Sequence, residues 1–287
     1  MISLPPLQQY DQQVVFSFQK HAPIRLTVRR FDQLHPEISG NKWFKLLHWL
    51  KQRKEEEPIL SFGGAYSNHL LALSAAAHSL GIKSIGIVRG EEVENPWIRA
   101  MKNNGMHLEF IDRSLYREKN QAAFLKTLTE KWGSCCIVPE GGAGQAGMLG
   151  AEEMVNASEP FHWVILPGGT GTTAAGIARK LLVSSTETLC FQVLKGKGIL
   201  EKELLSHGFD TNEFPRLHIN SDFHFGGYAK SNALLIEFQQ QWMQQTHIPI
   251  DRLYGAKALF GMYQLYSEGF FEEQSLLYIH TGGLGPA

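Results

Sequence analysis

Short apolar runs alternate along this chain with longer spans of helical periodicity, and no other feature narrows the fold as much. "PILSF" (58–62), "SIGIV" (84–88), "HLEFI" (107–111), "CCIV" (135–138), "WVIL" (163–166), "LCFQVL" (189–194), "LHIN" (217–220) and "SLLYIH" (275–280) read as strands. Helices are expected over 67–80, 96–104, 116–132, 144–157, 172–182, 231–244 and 256–266. "SGNKWFKL" (39–46) reads as a helix start, with Trp43, Leu46 and Leu47 able to share one face. Such alternation predicts βαβ units, hence an α/β fold of mainly parallel, twisted sheets covered by helices. Ligands in such folds bind beyond the carboxyl ends of strands. The loops after the strands are therefore where chemistry is expected.

The length, 287 residues, suits one large domain or two modest ones. With 43% apolar and 19% charged residues, the chain can bury a core and is not disordered. A formal net charge of −1 supplies no basic field for nucleic acid. The densest charge run, "KQRKEEE" (51–57), mixes both signs and reads as a solvated helix end. The first residues lack the basic and apolar regions of a signal peptide. No apolar stretch approaches the ~20 residues needed to span a bilayer. Cys135, Cys136 and Cys190 form no CxxC pair, which points to a reducing cytoplasm. HExxH, GxSxG and clustered Cys/His spacings are absent, so neither a zinc site nor a serine hydrolase is expected.

Three strand-to-helix loops are rich in glycine. In "SFGGAYSNH" (61–69), Gly63 and Gly64 permit a tight turn, and Ser67 and Asn68 open a helix. There they can serve as caps or as site residues. In "PEGGAGQAG" (139–147), Gly142, Gly144 and Gly147 match GxGxxG. A dinucleotide site also needs an acid closing the next strand, and that strand ends in Leu166 and Pro167. These glycines are better read as shaping a helix entrance. In "LPGGTGTTAAG" (166–176), three glycines free the backbone while Thr170, Thr172 and Thr173 offer hydroxyls at a helix N-terminus. That is a phosphate cup. No lysine follows the glycines, so a monophosphate ester suits it better than a nucleoside triphosphate.

Lys42 stands at the entrance of its helix, where the macrodipole opposes a positive charge and burial would oppose it further. A neutral lysine can condense with an aldehyde. An aldehyde that carries one phosphate uses both features, and pyridoxal 5′-phosphate (PLP) is such a molecule. "SGNKWFKL", "GGAYSNH", "GGTGTTAAG", "LYGAKALFG" and "YIHTGG" follow one another in an order and spacing that resembles the PLP-dependent 1-aminocyclopropane-1-carboxylate (ACC) deaminase / D-cysteine desulfhydrase family over nearly the whole chain.

That resemblance implies the tryptophan-synthase-β-like fold (fold type II), with two three-layer αβα domains. The larger, PLP-binding domain would comprise residues 1–45 and 152–287, and the smaller would be inserted at 46–151. The resemblance makes Lys42 the lysine that bonds the cofactor and Asn68 the partner of its 3′-oxygen. Ser67 would serve the substrate carboxylate or relay a proton. Thr170, Gly171, Thr172 and Thr173 would hold the phosphate, with Tyr254 and Tyr228 as active-site tyrosines and Thr281 near the pyridine nitrogen. It further implies a cytoplasmic homodimer acting on a small amino acid, with no metal and no membrane or nucleic-acid partner. Two departures stand out. Gly255 follows Tyr254 where deaminases carry glutamate and desulfhydrases a hydroxyl residue. The chain also stops at "HTGGLGPA", where relatives usually continue, so a short closing segment is expected. Without a carboxylate at 255 the electron sink should be weak. That favours β-elimination from D-cysteine, giving pyruvate, ammonia and sulfide, over ACC ring opening to 2-oxobutyrate and ammonia. The rival readings are a PLP-fold protein without turnover, hinted at by Gly255, and a nucleotide binder resting on GxGxxG.

Overall fold

A computed structural model describes residues 7–286 apart from 20 and 272. Among the described residues, ten strands form two sheets. The six-stranded sheet contains β1 (Asp11–Phe16), β2 (Ile24–Arg29), β7 (Trp163–Gly168), β8 (Glu187–Gln192), β9 (Leu217–Asn220) and β10 (Leu276–Ile279), in the order β1-β2-β10-β7-β8-β9. The four-stranded sheet contains β3 (Ile59–Gly64), β4 (Ser84–Arg89), β5 (His107–Ile111) and β6 (Cys136–Val138), in the order β5-β4-β3-β6. Every pairing is parallel except the β1–β2 hairpin. The helices are α1 (Asn41–Gln52), α2 (Asn68–Ser79), α3 (Pro96–Asn103), α4 (Arg113–Arg117), α5 (Ala122–Trp132), α6 (Gln145–Glu152), α7 (Thr172–Leu181), α8 (Ile199–Ser206), α9 (Ala233–Thr246) and α10 (Gly255–Ser267).

Side chains that alternate along the central strands bury both sheet faces. On β7, Ile165 packs with Phe238, Trp242 and Tyr263 of α9 and α10, while Val164 and Leu166 pack with Phe44, Ile177 and Leu181 of α1 and α7. The small sheet repeats the arrangement. Ile59 faces Leu71 and Met101 of α2 and α3, whereas Leu60 and Phe62 face Tyr116, Phe124 and Leu128 of α4 and α5. Each sheet is thus the middle of three layers, as expected for parallel strands.

Three expectations need correction. The helix expected over 116–132 is two helices. The Asp112 carboxylate caps the first by accepting the Ser114 and Leu115 N–H groups, and a turn closed by Gln121 N–H on the Glu118 carbonyl (2.7 Å) separates them. The helix expected to reach 157 ends at Glu152. The strands β1 and β2 and the helix α8 were not anticipated; "DQQVVF" is too polar to stand out, and it sits at the sheet edge.

Glycines bring α6 against its neighbours. A Cβ on Gly150 would lie 1.9 Å from the Phe44 carbonyl oxygen of α1, and one on Gly176 would lie 2.3 Å from the Met148 carbonyl oxygen. Only a bare Cα permits this approach. It holds α6 tightly between α1 and α7, and so brings the two lysines of α1 to the glycine–threonine loop.

Candidate active site

Gly40 begins the site. Its φ is +64°, and a Cβ there would lie 1.9 Å from the Thr281 carbonyl oxygen. The Asn41 N–H donates to that same carbonyl at 3.3 Å, which fastens the start of α1 to the segment after β10. Lys42 Nζ donates to Asn41 Oδ1 (2.8 Å), and Asn41 Nδ2 donates to Thr173 Oγ1 (2.9 Å). One asparagine therefore joins the lysine amine to the glycine–threonine loop. Burial is the main cause that lowers the Lys42 pKa, to about 8, against the opposing pull of Asp251.

The loop after β7 leads into α7 through Gly171, at φ +73°, and no side chain caps the helix. Leu200 and Leu204 crowd the site of a Gly171 Cβ at 2.8 Å. Thr170 and Thr172 bring their Oγ1 atoms within 3.1 Å of each other. Lys45, one turn beyond Lys42 and 2% exposed, donates from Nζ to Thr170 Oγ1 at 3.4 Å. Burial first, and Lys42 second, push its pKa well down. Lys45 has no carboxylate within 4 Å among the described residues. The sequence reading found no lysine for this loop because the lysine comes from another helix. Two hydroxyls, the uncapped start of α7 and the buried Lys45 amine lie together here, a donor set that suits an anion.

The glycines of 139–147 pack rather than bind. A Gly147 Cβ would strike the Gly142 carbonyl at 2.0 Å and approach Thr172 at 3.2 Å. That matches the reading of them as shaping a helix entrance.

Beyond β3, Ser67 caps α2, its Oγ accepting the Leu70 N–H at 3.2 Å. Asn68 accepts from Trp97 Nε1 at its Oδ1 (2.8 Å) and donates from Nδ2 to the Gly283 carbonyl (3.3 Å). Trp97 thereby fixes which way the amide faces. His69 is buried. The Ser61 hydroxyl donates its proton to the Val138 carbonyl (2.7 Å), so His69 Nε2–H donates to Ser61 Oγ (2.8 Å). Nδ1 is left as a buried acceptor with no partner, on a neutral ring whose pKa burial holds well down. Tyr228 and Tyr254 stand edge to face, with centroids 6.0 Å apart. Burial, reinforced by Tyr228, raises the Tyr254 pKa well above its ordinary value, so its phenol stays protonated. The Tyr254 ring also lies 2.9 Å from where a Gly169 Cβ would be. Thr281 contributes its carbonyl to the Asn41 N–H.

Sequence reasoning did not single out Asp251. Its Oδ1 accepts the N–H groups of Leu253 (2.8 Å) and Tyr254 (2.7 Å), and its Oδ2 accepts that of Gly255 (2.9 Å). Burial raises its pKa. A carboxylate thus stands beside Gly255, where the sequence reading expected none.

The profile of the pyridoxal-phosphate dependent enzyme family matches residues 17–282. The chain belongs to that family. It is 27% identical over 284 residues to a Pyrococcus furiosus protein inferred to be an ACC deaminase, covering 90% of this chain and 84% of the relative. It is 24% identical to the bifunctional D-cysteine desulfhydrase/ACC deaminase of Arabidopsis thaliana, covering 90% and 72%. Identity is also 24% to the D-cysteine desulfhydrase of Serratia proteamaculans, over 89% and 86%. A crystal structure of an ACC deaminase homologue superposes with a TM-score of 0.75 at 23% identity, covering 91% of this chain and 85% of that one. The protein is therefore a PLP-dependent enzyme with an α/β fold of mostly parallel sheets. No metal-holding cluster and no helix long and apolar enough to cross a membrane occur among the described residues.

Proposed function

We propose that the enzyme breaks down a small α-amino acid, with β-elimination from D-cysteine as its reaction. The observation that supports this reading is the hydrogen-bonded path from Lys42 through Asn41 to Thr173, which joins one lysine amine to the glycine–threonine loop. That pairing fits a ligand with an aldehyde at one end and a monophosphate at the other. The orphaned Nδ1 of His69 also fits a site completed by a ligand. When bound, pyridoxal phosphate supplies an electron sink conjugated to the substrate's α-carbon.

The chain's own groups would do the rest. Thr170, Thr172 and Thr173 hydroxyls, the first N–H groups of α7 and the Lys45 ammonium would hold the phosphate. Lys42 would bond the cofactor's aldehyde, and its amine would take the substrate's α-proton; a pKa of about 8 lets it change protonation near neutral pH. Asn68, oriented by Trp97, would donate to the ring's 3′-oxygen. The Ser67 hydroxyl keeps its own proton free while its oxygen caps α2, so it can donate to the substrate carboxylate. Tyr254, held protonated, would place its phenol by the departing group, with Tyr228 beside it. Loss of the α-proton leaves an electron pair that forms the Cα–Cβ double bond as the Cβ–S bond breaks and thiolate departs. A thiol of pKa about 8.5 makes thiolate an easy leaving group.

A second reading, ACC deamination, is kept open by Asp251, since a carboxylate beside Gly255 can support the strong electron sink that ring opening needs; β-elimination of thiolate runs with such a sink as well. A side-by-side assay separates the two: sulfide and pyruvate from D-cysteine, against 2-oxobutyrate and ammonia from ACC. The proposal expects the higher kcat/KM on D-cysteine. A clearly higher value on ACC overturns it in favour of the second reading.

A further inference from the structure

We infer that Asp251 is the partner of the cofactor's ring nitrogen and keeps that nitrogen protonated, at a place where residue 255 has no side chain to do so. The inference rests on reading the surroundings of Lys42 as the cofactor site.

Position supports it first. A Cβ on Gly255 would lie 3.0 Å from Asp251 Oδ2, so a side chain at 255 would enter space that the Asp251 carboxylate already holds. A Cβ on Gly283 would lie 3.6 Å from the same oxygen and 3.5 Å from Asn68 Nδ2. The carboxylate and the Asn68 amide thus border one space, from opposite ends of the chain.

Charge balance supports it next. Asp251 makes three hydrogen bonds to backbone N–H groups, yet it forms no ion pair within 4 Å among the described residues; Lys42 and Lys257 act on it only at longer range, and Lys257 Nζ already donates to the His224 and Gly227 carbonyls. An enclosed carboxylate without a cation in contact is costly. A protonated ring nitrogen would supply both the positive charge and a donor for the free lone pair of Oδ2. Other groups nearby are already committed. His280 Nε2–H donates to the Pro249 carbonyl (2.6 Å), while its Nδ1 accepts the Gly282 N–H (3.1 Å). The Tyr278 hydroxyl donates to the Gly255 carbonyl at 3.2 Å. Asp32 pairs with Arg30 (2.8 Å), and Glu140 pairs with Lys119 (3.4 Å). Thr281 offers a neutral hydroxyl, which can bond an unprotonated nitrogen but cannot hold a proton on it.

The test uses the full-length protein reconstituted with PLP carrying ¹⁵N in the ring. The ring ¹⁵N resonance reports protonation without any turnover. Wild type should resonate at the protonated position. Asp251→Asn, which keeps an oxygen to accept the Leu253 and Tyr254 N–H groups, should move the resonance to the unprotonated position and weaken cofactor binding about 10- to 100-fold. Because Asp251→Asn also gives up a hydrogen bond at the start of α10, the double variant Asp251→Ala/Gly255→Glu is the control, clearing the space at 251 and returning a carboxylate from 255. It should return the resonance toward the protonated position. An unprotonated nitrogen in wild type, or a resonance unmoved by Asp251→Asn, overturns the inference while leaving the cofactor site intact. Failure of wild type to bind PLP at all overturns the reading of the site itself.

Discussion

Lys45→Met should have opposite effects on the empty and the loaded protein. Lys45 is 2% exposed, makes one long bond of 3.4 Å to Thr170, and has Lys42 as its charged neighbour. A lysine in that position costs folding free energy until an anion arrives, because burial makes it either hold an unpaired charge or give up its proton. Methionine has nearly the same length and no charge. Replacing a buried charged or polar group with an apolar one of similar volume is stabilising by about 1–4 kcal/mol in comparable cases. The cofactor-free variant should therefore melt higher, by about 2 °C per kcal/mol for a chain of this size. In the loaded enzyme the same change removes a charge-assisted hydrogen bond worth about 1.5–3 kcal/mol, so PLP should bind about 10- to 150-fold more weakly. Thermal melts with and without PLP, alongside a fluorescence titration of the cofactor, read both effects. The thermal shift on adding PLP should shrink. A variant that melts lower when empty and binds PLP as wild type does would refute the reasoning, and would make Lys45 a packing residue.

Thr170→Ala should weaken PLP about tenfold, and Thr173→Ala at least as much, because Thr173 also holds Asn41 (2.9 Å); unchanged affinity in both variants moves the phosphate elsewhere. The stability of the cofactor-free protein should depend on pH through Lys42. Its folded pKa of about 8 lies below the ordinary 10.5, so the unfolded chain binds more protons between those values. Stability should rise across that window, by about 3 kcal/mol from this residue alone, with the full cost present below it; urea melts of wild type and Lys42→Met should differ in that slope, and equal slopes would contradict the assignment. Gly150→Ala should destabilise by about 2 kcal/mol or more, since its Cβ would meet the Phe44 carbonyl at 1.9 Å; an unchanged denaturation midpoint would show that α1 and α6 can move apart.

What the sequence disclosed was whatever depends on neighbours along the chain. The alternation around β3, β4 and β7 was legible because buried parallel strands are continuous apolar runs. Thr170 to Thr173 were legible because one loop carries both the glycines and the hydroxyls. Lys42 was legible because a lysine straight after glycine and asparagine is out of place at a helix entrance. Lys45 was not, since on its own helix it is an ordinary lysine, and only the close packing of α1, α6 and α7 carries it to Thr170. Asn41 was noticed but not given its role as the link between Lys42 and Thr173. Trp97 orients Asn68 across 29 residues of sequence, which no local pattern announces. Asp251 was not singled out, since nothing in the sequence shows that its carboxylate gathers the N–H groups of Leu253, Tyr254 and Gly255. Its place beside the empty flank of Gly255 follows from three-dimensional packing alone.

The central claim is that Lys42 carries the cofactor. Borohydride reduction of the PLP-loaded protein, followed by proteolysis and mass spectrometry of the peptides, tests it directly. The account predicts a pyridoxyl group on Lys42, and no fixed pyridoxyl in Lys42→Ala. The group found on Lys45 or Lys257 in the wild-type protein would contradict it.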